Sequence, residues 1–251
     1  MKKYSTEISF HPLTVLYIAL SLILGRFSFV FDLFVIAFIH ELFHVFAARI
    51  FNLKISEISF LPIGCYAKIS DLEHAKRGVQ IIVLLLGPLS FFFTRAIITF
   101  LYRNDIISIY GFREFNEINL FMMVFNLLPI FPFDGGRILK IVISSLISEK
   151  KSLIITSLVG ILMSSIFVLR LLEIRQYLFA FFIVFYAIKN IVTIKKDYKK
   201  FLIMRYISRE YENYKIKINN RRVIYRYAHN FYLIGNNIYP EEKVVENLLK
   251  K

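Results

Sequence analysis

Cysteine is almost missing from this chain: Cys65 is the only one in 251 residues. That excludes an internal disulfide and any zinc cluster built from several cysteines. Tryptophan is absent, and acidic residues are scarce, with 18 Asp and Glu against 32 Lys and Arg. The stretch 12–24 is apolar enough for a signal peptide but lacks a small-residue cleavage site after it, and so reads as a first membrane helix. Internal repeats and low-complexity tracts are missing too.

Apolar residues fill the space. They make up 57% of the chain, and 17% is aromatic, where soluble domains run at roughly 45–50% apolar. Mean hydropathy is +0.58. A bilayer is the implied solvent, and a span needs roughly 20 mainly apolar residues. Six candidates follow: 10–24, 29–51, 79–101, 118–133, 152–172 and 177–194. The fourth is short and broken by Pro129 and Pro132.

The net charge of +14 fits nucleic acid, anionic lipid or an acidic partner until the charges are placed. With six spans and the amino terminus inside, 25 Lys and Arg fall on the inner side and five on the outer. Both termini are therefore expected in the cytoplasm. Most of the basic excess is topological, so no direct nucleic-acid contact is expected. Anionic lipid is.

The expected fold class is an all-α polytopic membrane protein of about six transmembrane helices. A short membrane-associated β-hairpin follows the second helix, in "ISEISFLPIGCYAKISDLE", and a small cytoplasmic α+β tail ends the chain. The domain division is 1–194 for the transmembrane part and 195–251 for the basic tail. In the tail, "KIKINNRRVIYRY" suggests a tight hairpin about Asn219-Asn220. "PEEKVVENLLKK" suggests a helix begun by Pro240, with acids in its first turn.

The chemistry lies in "IAFIHELFHVFAARI". His40 and His44 are four residues apart, so on a helix they share a face one turn apart. That spacing lets two imidazoles hold one zinc ion, with Glu41 beside them as acid/base. Three polar groups paired with nearby backbone would be the plainer account. Ionisable groups at membrane depth are costly, however, and functional by default.

Two histidines leave the site one protein ligand short. His11 is beside Pro12 at the start of the first span, His74 is in a charged loop and His229 is in the tail, and Asp32 is eight residues before His40 on the same helix, too far along the axis to ligate. Asp134, in "NLLPIFPFDGGRIL", remains. Taken alone, Asp-Gly-Gly is also ordinary turn chemistry, with Asp134 capping a helix that starts near Gly136. A broken helix at membrane depth, which must line a cavity or be buried in protein, favours the ligand.

"HELFH" together with "NLLPIFPFDGG" resembles the site-2 protease family of intramembrane zinc metalloproteases. The layout of residues 10 to about 210 looks closest to the sporulation proteases that process a precursor sigma factor. The resemblance implies Zn²⁺ held by His40, His44 and Asp134, with Glu41 catalytic. It implies that Asn126 helps hold the substrate backbone and that Pro132 shapes the ligand loop. A membrane-associated substrate of the pro-sigma-factor class is implied, in the bacterial cell membrane or the membrane around the forespore. Inhibitory membrane partners and a homo-oligomer belong to the same expectation. Phe43 and Cys65 stand where the family has glycines. The tail is short for the family's CBS region and reads as a shortened regulatory or substrate-recognition module.

Two segments keep alternatives. Ser59 to Ile69 offers either a strand edge for β-augmentation of substrate or a plain loop at the headgroups. Gly87 and Pro88 either leave room for an incoming chain or make an ordinary membrane-helix kink, and the kink is favoured. From a different class, a metal transporter uses the same His/Asp set but has no need of Glu41.

Overall fold

The computed structural model describes residues 7–61, 64–173, 177–207, 215–219, 223–234 and 237–249. The chain forms two compact units, Met1–Leu127 and Leu128–Lys251.

The first unit opens with β1 (Glu7–Phe10) and α1 (Pro12–Ile23), followed by α2 (Phe27–Ile50), β2 (Ile55–Leu61), β3 (Gly64–Ile69), α3 (Arg77–Arg103) and α4 (Ile109–Leu127). His11 caps α1, its Nδ1 accepting the Leu13 N–H at 3.3 Å. Pro12 takes the first helical position, where a missing N–H costs nothing.

The first three helices end alike. Gly25, Asn52 and Asp105 have φ of 65°, 55° and 54°. The next N–H then reaches back five residues, from Arg26 to the Ser21 carbonyl, Leu53 to Ala48 and Ile106 to Leu101, at 2.8 to 3.0 Å. These Schellman closures satisfy carbonyls that would otherwise be orphaned and fix where each helix stops. Leu33 and Ile36 of α2, Ile98 of α3, and Phe115 and Ile118 of α4 form the core between them.

Where a lone hairpin is expected, the structure has a three-stranded sheet in the order β1-β2-β3. Phe10, counted into the first span for its hydrophobicity, is the last residue of β1. It pairs in parallel with Phe60 of β2, and β2 pairs antiparallel with β3.

Length and composition bear out three of the six expected spans. Among the described residues, three helices are long and apolar enough to span a bilayer: α2, α3 and Glu149–Glu173. The first apolar helix has only 12 residues, about 18 Å of rise, because Gly25 stops it. The expected fourth span begins and ends early. Its helix, α4, stops at Leu127, and 128–133 is irregular.

The second unit contains α5 (Asp134–Leu146), α6 (Glu149–Glu173), α7 (Tyr177–Ile207), β4 (Lys215–Asn219), β5 (Ala228–Ile234), β6 (Asn237–Pro240) and α8 (Glu241–Leu249). The last apolar stretch and the amphipathic start of the tail form one continuous helix, α7. Its Phe201 and Leu202 pack with Ile224, Tyr232, Val244 and Val245 as the core of the tail.

Of the hairpin expected about Asn219-Asn220, Asn219 ends β4, which pairs in parallel with β5. Among the described residues its second strand is missing, since 223–227 form no strand. Residues 220–222, which hold the rest of the expected turn, lie outside the described residues. Ile224, expected in the second strand, is drawn into the core instead. The final helix stands as expected, directly after Pro240 with Glu241 and Glu242 in its first turn.

Candidate metal centre

α2 is apolar nearly all round, and its buried positions include His40 and His44, each 5% exposed. The Nδ1 of His44 lies 2.7 Å from the Val83 carbonyl of α3. A carbonyl only accepts, so the proton of His44 is on Nδ1 and its Nε2 presents a lone pair. That lone pair faces Nε2 of His40 at 3.1 Å.

Two nitrogens at about 2.05 Å from one tetrahedral ion stand about 3.3 Å apart. The observed spacing is close to that value. A buried histidine oriented through its second nitrogen is also the usual support of a metal ligand. Zinc is the metal this donor set fits.

Glu41 completes the group. Its carboxylate and the two imidazoles bring ligand atoms within 4.8 Å of one another. Oε2 of Glu41 accepts the backbone N–H of Ala67 in β3 at 2.9 Å. Small residues bring that strand so close: Gly64, with φ of 138°, has a position where a Cβ would lie 3.3 Å from the Ala37 Cβ. Phe38 and Phe60 stack nearby, their centroids 5.9 Å apart.

From the other side, α3 contributes an absence. A Cβ on Gly87 would lie 2.2 Å from Nε2 of His44 and 2.9 Å from Cε1 of His40. The missing side chain is the space in which the two rings converge. The favoured reading of this glycine as part of a plain kink is therefore incomplete. Pro88 does remove a donor inside the helix, but Gly87 serves the histidines. Its signal in the sequence was a glycine halfway along an otherwise bulky apolar helix.

The two departures from the family glycines also find places. Phe43 packs against Phe93 of α3, with centroids 5.5 Å apart. Cys65 sits in β3, where burial and then the Glu41 carboxylate push its thiol up to about 11. It stands there as a neutral thiol.

Asn126 lies in the last turn of α4, its Nδ2 donating to the Met122 carbonyl at 3.0 Å. Asp134 and Pro132 belong to the second unit. Asp134 is the first residue of α5 and 6% exposed, in the turn where a helix dipole favours a carboxylate. Arg137 lies 3.8 Å from it. The helix thus starts at Asp134 itself, two residues earlier than the capping reading has it.

The loop before Asp134 is held closely by its own unit. Asn190 of α7 donates to the Phe131 carbonyl at 2.9 Å. A Cβ on Gly136 would lie 2.4 Å from the Ile130 carbonyl carbon, and one on Gly160 of α6 would lie 3.3 Å from the Pro129 oxygen. Pro132 follows a cis peptide bond. Irregular backbone of this kind survives at membrane depth when protein satisfies it.

Comparison with known proteins agrees with this geometry. The model of "Peptidase family M50" matches residues 28–105 and 102–169. The chain belongs to peptidase family M50. Stage IV sporulation protein FB of Bacillus subtilis is 30% identical over 148 residues, 58% of this chain and 51% of that protein. A zinc metalloprotease of Methanocaldococcus jannaschii is 34% identical over 131 residues, 51% of this chain and 38% of that protein. This M50 chain thus spans about half or less of the length of the curated relatives it matches. The solved site-2 protease from Methanocaldococcus jannaschii aligns with a TM-score of 0.54 at 29% identity, covering 73% of this chain and 89% of that one.

Proposed function

We propose that this M50 chain is an intramembrane zinc metalloprotease that hydrolyses a peptide bond in or near the bilayer. His40, His44 and Asp134 hold the zinc, and Glu41 is the catalytic acid/base. The observation that carries the reading is the buried, convergent histidine pair with Glu41 fixed beside it. When bound, zinc supplies a Lewis acid that lowers the pKa of water to about 7 and polarises the scissile carbonyl.

The residues of the chain do the rest. The Ala67 N–H aims Glu41 through Oε2, so the carboxylate is positioned to accept a proton and return it to the leaving amine. The Val83 carbonyl keeps His44 in the tautomer that a ligand needs. β2 is paired on both sides, so β1 and β3 each keep an edge, and β3 is the one whose backbone meets Glu41. An extended substrate segment adding to the β3 edge would lie alongside Glu41, and this proximity supports β-augmentation as the role of the Ser59 to Ile69 segment. Asn126 and Pro132 keep their proposed roles in substrate holding and loop shape.

Six spans, with both termini in the cytoplasm of a bacterial cell, complete the topology. The substrate is a membrane-associated protein of the pro-sigma-factor class, in keeping with the sporulation relative. Inhibitory membrane proteins, anionic lipid and a second copy of the chain remain its proposed partners. The test is Asp134→Ala. The purified wild-type chain is expected to hold about one zinc, and the variant to lose zinc affinity and cleavage together. Full occupancy with retained cleavage overturns Asp134 as a ligand.

A further inference from the structure

At the start of α6, Glu149 is completely buried, and its carboxylate sits among cations. Arg226, from the tail, donates to it twice, Nε to Oε2 at 2.9 Å and Nη2 to Oε1 at 2.6 Å. Lys140 of α5 places its ammonium 3.4 Å from Oε1. The Glu149 backbone N–H also donates to the tail, to the Ile224 carbonyl at 3.0 Å. A fully buried carboxylate is tolerated only when it is matched in this way, and removing one partner leaves an uncompensated charge.

The contacts continue in both directions. Lys140 also stands over the ring of Phe131, 5.7 Å from its centroid. Phe131 is in the loop that leads into Asp134. On the tail side, the Arg226 guanidinium lies over Phe201 at 4.8 Å. The Arg226 carbonyl accepts from Arg205, which is itself paired with Glu241 of α8. An unbroken set of contacts thus runs from α8 through Arg205, Arg226, Glu149 and Lys140 to the loop ahead of Asp134.

We propose that Glu149 is a positioning residue which, through Arg226 and Lys140, makes docking of the tail set the placement of Asp134. This inference rests on the reading of Asp134 as a zinc ligand. Its consequence is regulatory. Whatever loosens residues 195–251 weakens zinc retention, although no tail residue ligates the metal. A bidentate Arg–carboxylate pair suits this task, because its geometry is as specific as its charge.

The test is a double-mutant cycle on the full-length protein in detergent, with zinc affinity read by chelator competition. Arg226→Gln is expected to weaken zinc binding about 10-fold to 100-fold, the range for residues that orient metal ligands. Arg226→Lys keeps the charge and is expected to lose less, which also covers the case in which Arg226→Gln does not fold. In an Asp134→Ala background, either Arg226 substitution is expected to have no further effect on zinc affinity. Additive losses in the double variant overturn the proposal, as does wild-type affinity in both Arg226 variants when Asp134→Ala alone is weakened. Wild-type affinity in Asp134→Ala alone is a different result and removes the ligand reading itself.

Discussion

A Cβ on Gly87 would lie 2.2 Å from Nε2 of His44. No packing adjustment short of moving a helix or turning the imidazole relieves such an approach. If the ring turns, the bond from Nδ1 to the Val83 carbonyl is lost, and with it the tautomer that frees Nε2. Gly87→Ala is therefore expected to lower zinc affinity by about 10-fold or more while the helices stay inserted. Metal content after dialysis against a weak chelator, beside a circular dichroism spectrum, checks this. Unchanged zinc retention would show that the ring has room elsewhere.

Gly136 makes the same kind of demand in the second unit, where its Cβ would meet the Ile130 carbonyl carbon at 2.4 Å. Gly136→Ala is expected to push the 128–133 loop off the first turn of α5. The cost is about 1–3 kcal/mol of stability, as for other overpacked sites. Thermal unfolding in detergent measures it. A midpoint equal to the wild type contradicts the close seating of the loop.

The tail separates two kinds of electrostatics. Residues 195–251 carry fourteen basic and six acidic side chains, and surface basic residues beside an anionic membrane are worth about 1 kcal/mol each. Salt screens such contacts over about 10 Å at 0.1 M and about 3 Å at 1 M. Glu149 itself is shielded from that screening, being 0% exposed. On the proposed lipid contact, raising salt is expected to weaken association of the intact, detergent-purified protein with anionic bicelles, and to leave its zinc affinity unchanged. A parallel fall of both would mean that the Glu149 contact is wet.

The helical spacing of His40 and His44, the carboxylate between them and the proline-broken fourth helix were all readable from residue order, because each depends on local chemistry. What escaped depended on partners distant in the chain. Glu7 to Phe10 is too short to announce a strand, and only β2 makes it one. Gly87 looked like a kink because the rings it clears are 43 and 47 residues away in the sequence. Asn219-Asn220 has the chemistry of a tight turn, yet burial of Tyr232 and Ile224 in one core favours a parallel pairing that no dipeptide can encode. Ala67 was similarly silent, since a backbone N–H leaves no mark on the sequence.

In the proposed reaction Glu41 acts as an acid/base rather than as a third holder of metal. Glu41→Gln keeps the shape of the side chain and leaves both histidines and Asp134 untouched, while removing the group that accepts the proton. Zinc content and cleavage of a membrane-tethered substrate should be measured on the same preparation. Zinc is expected at the wild-type level and cleavage lower by at least about 10²-fold, the lower end expected for general acid–base catalysis. Near-normal proteolysis in Glu41→Gln would contradict that role, and zinc flux across vesicles that survives the substitution would point to a transporter instead.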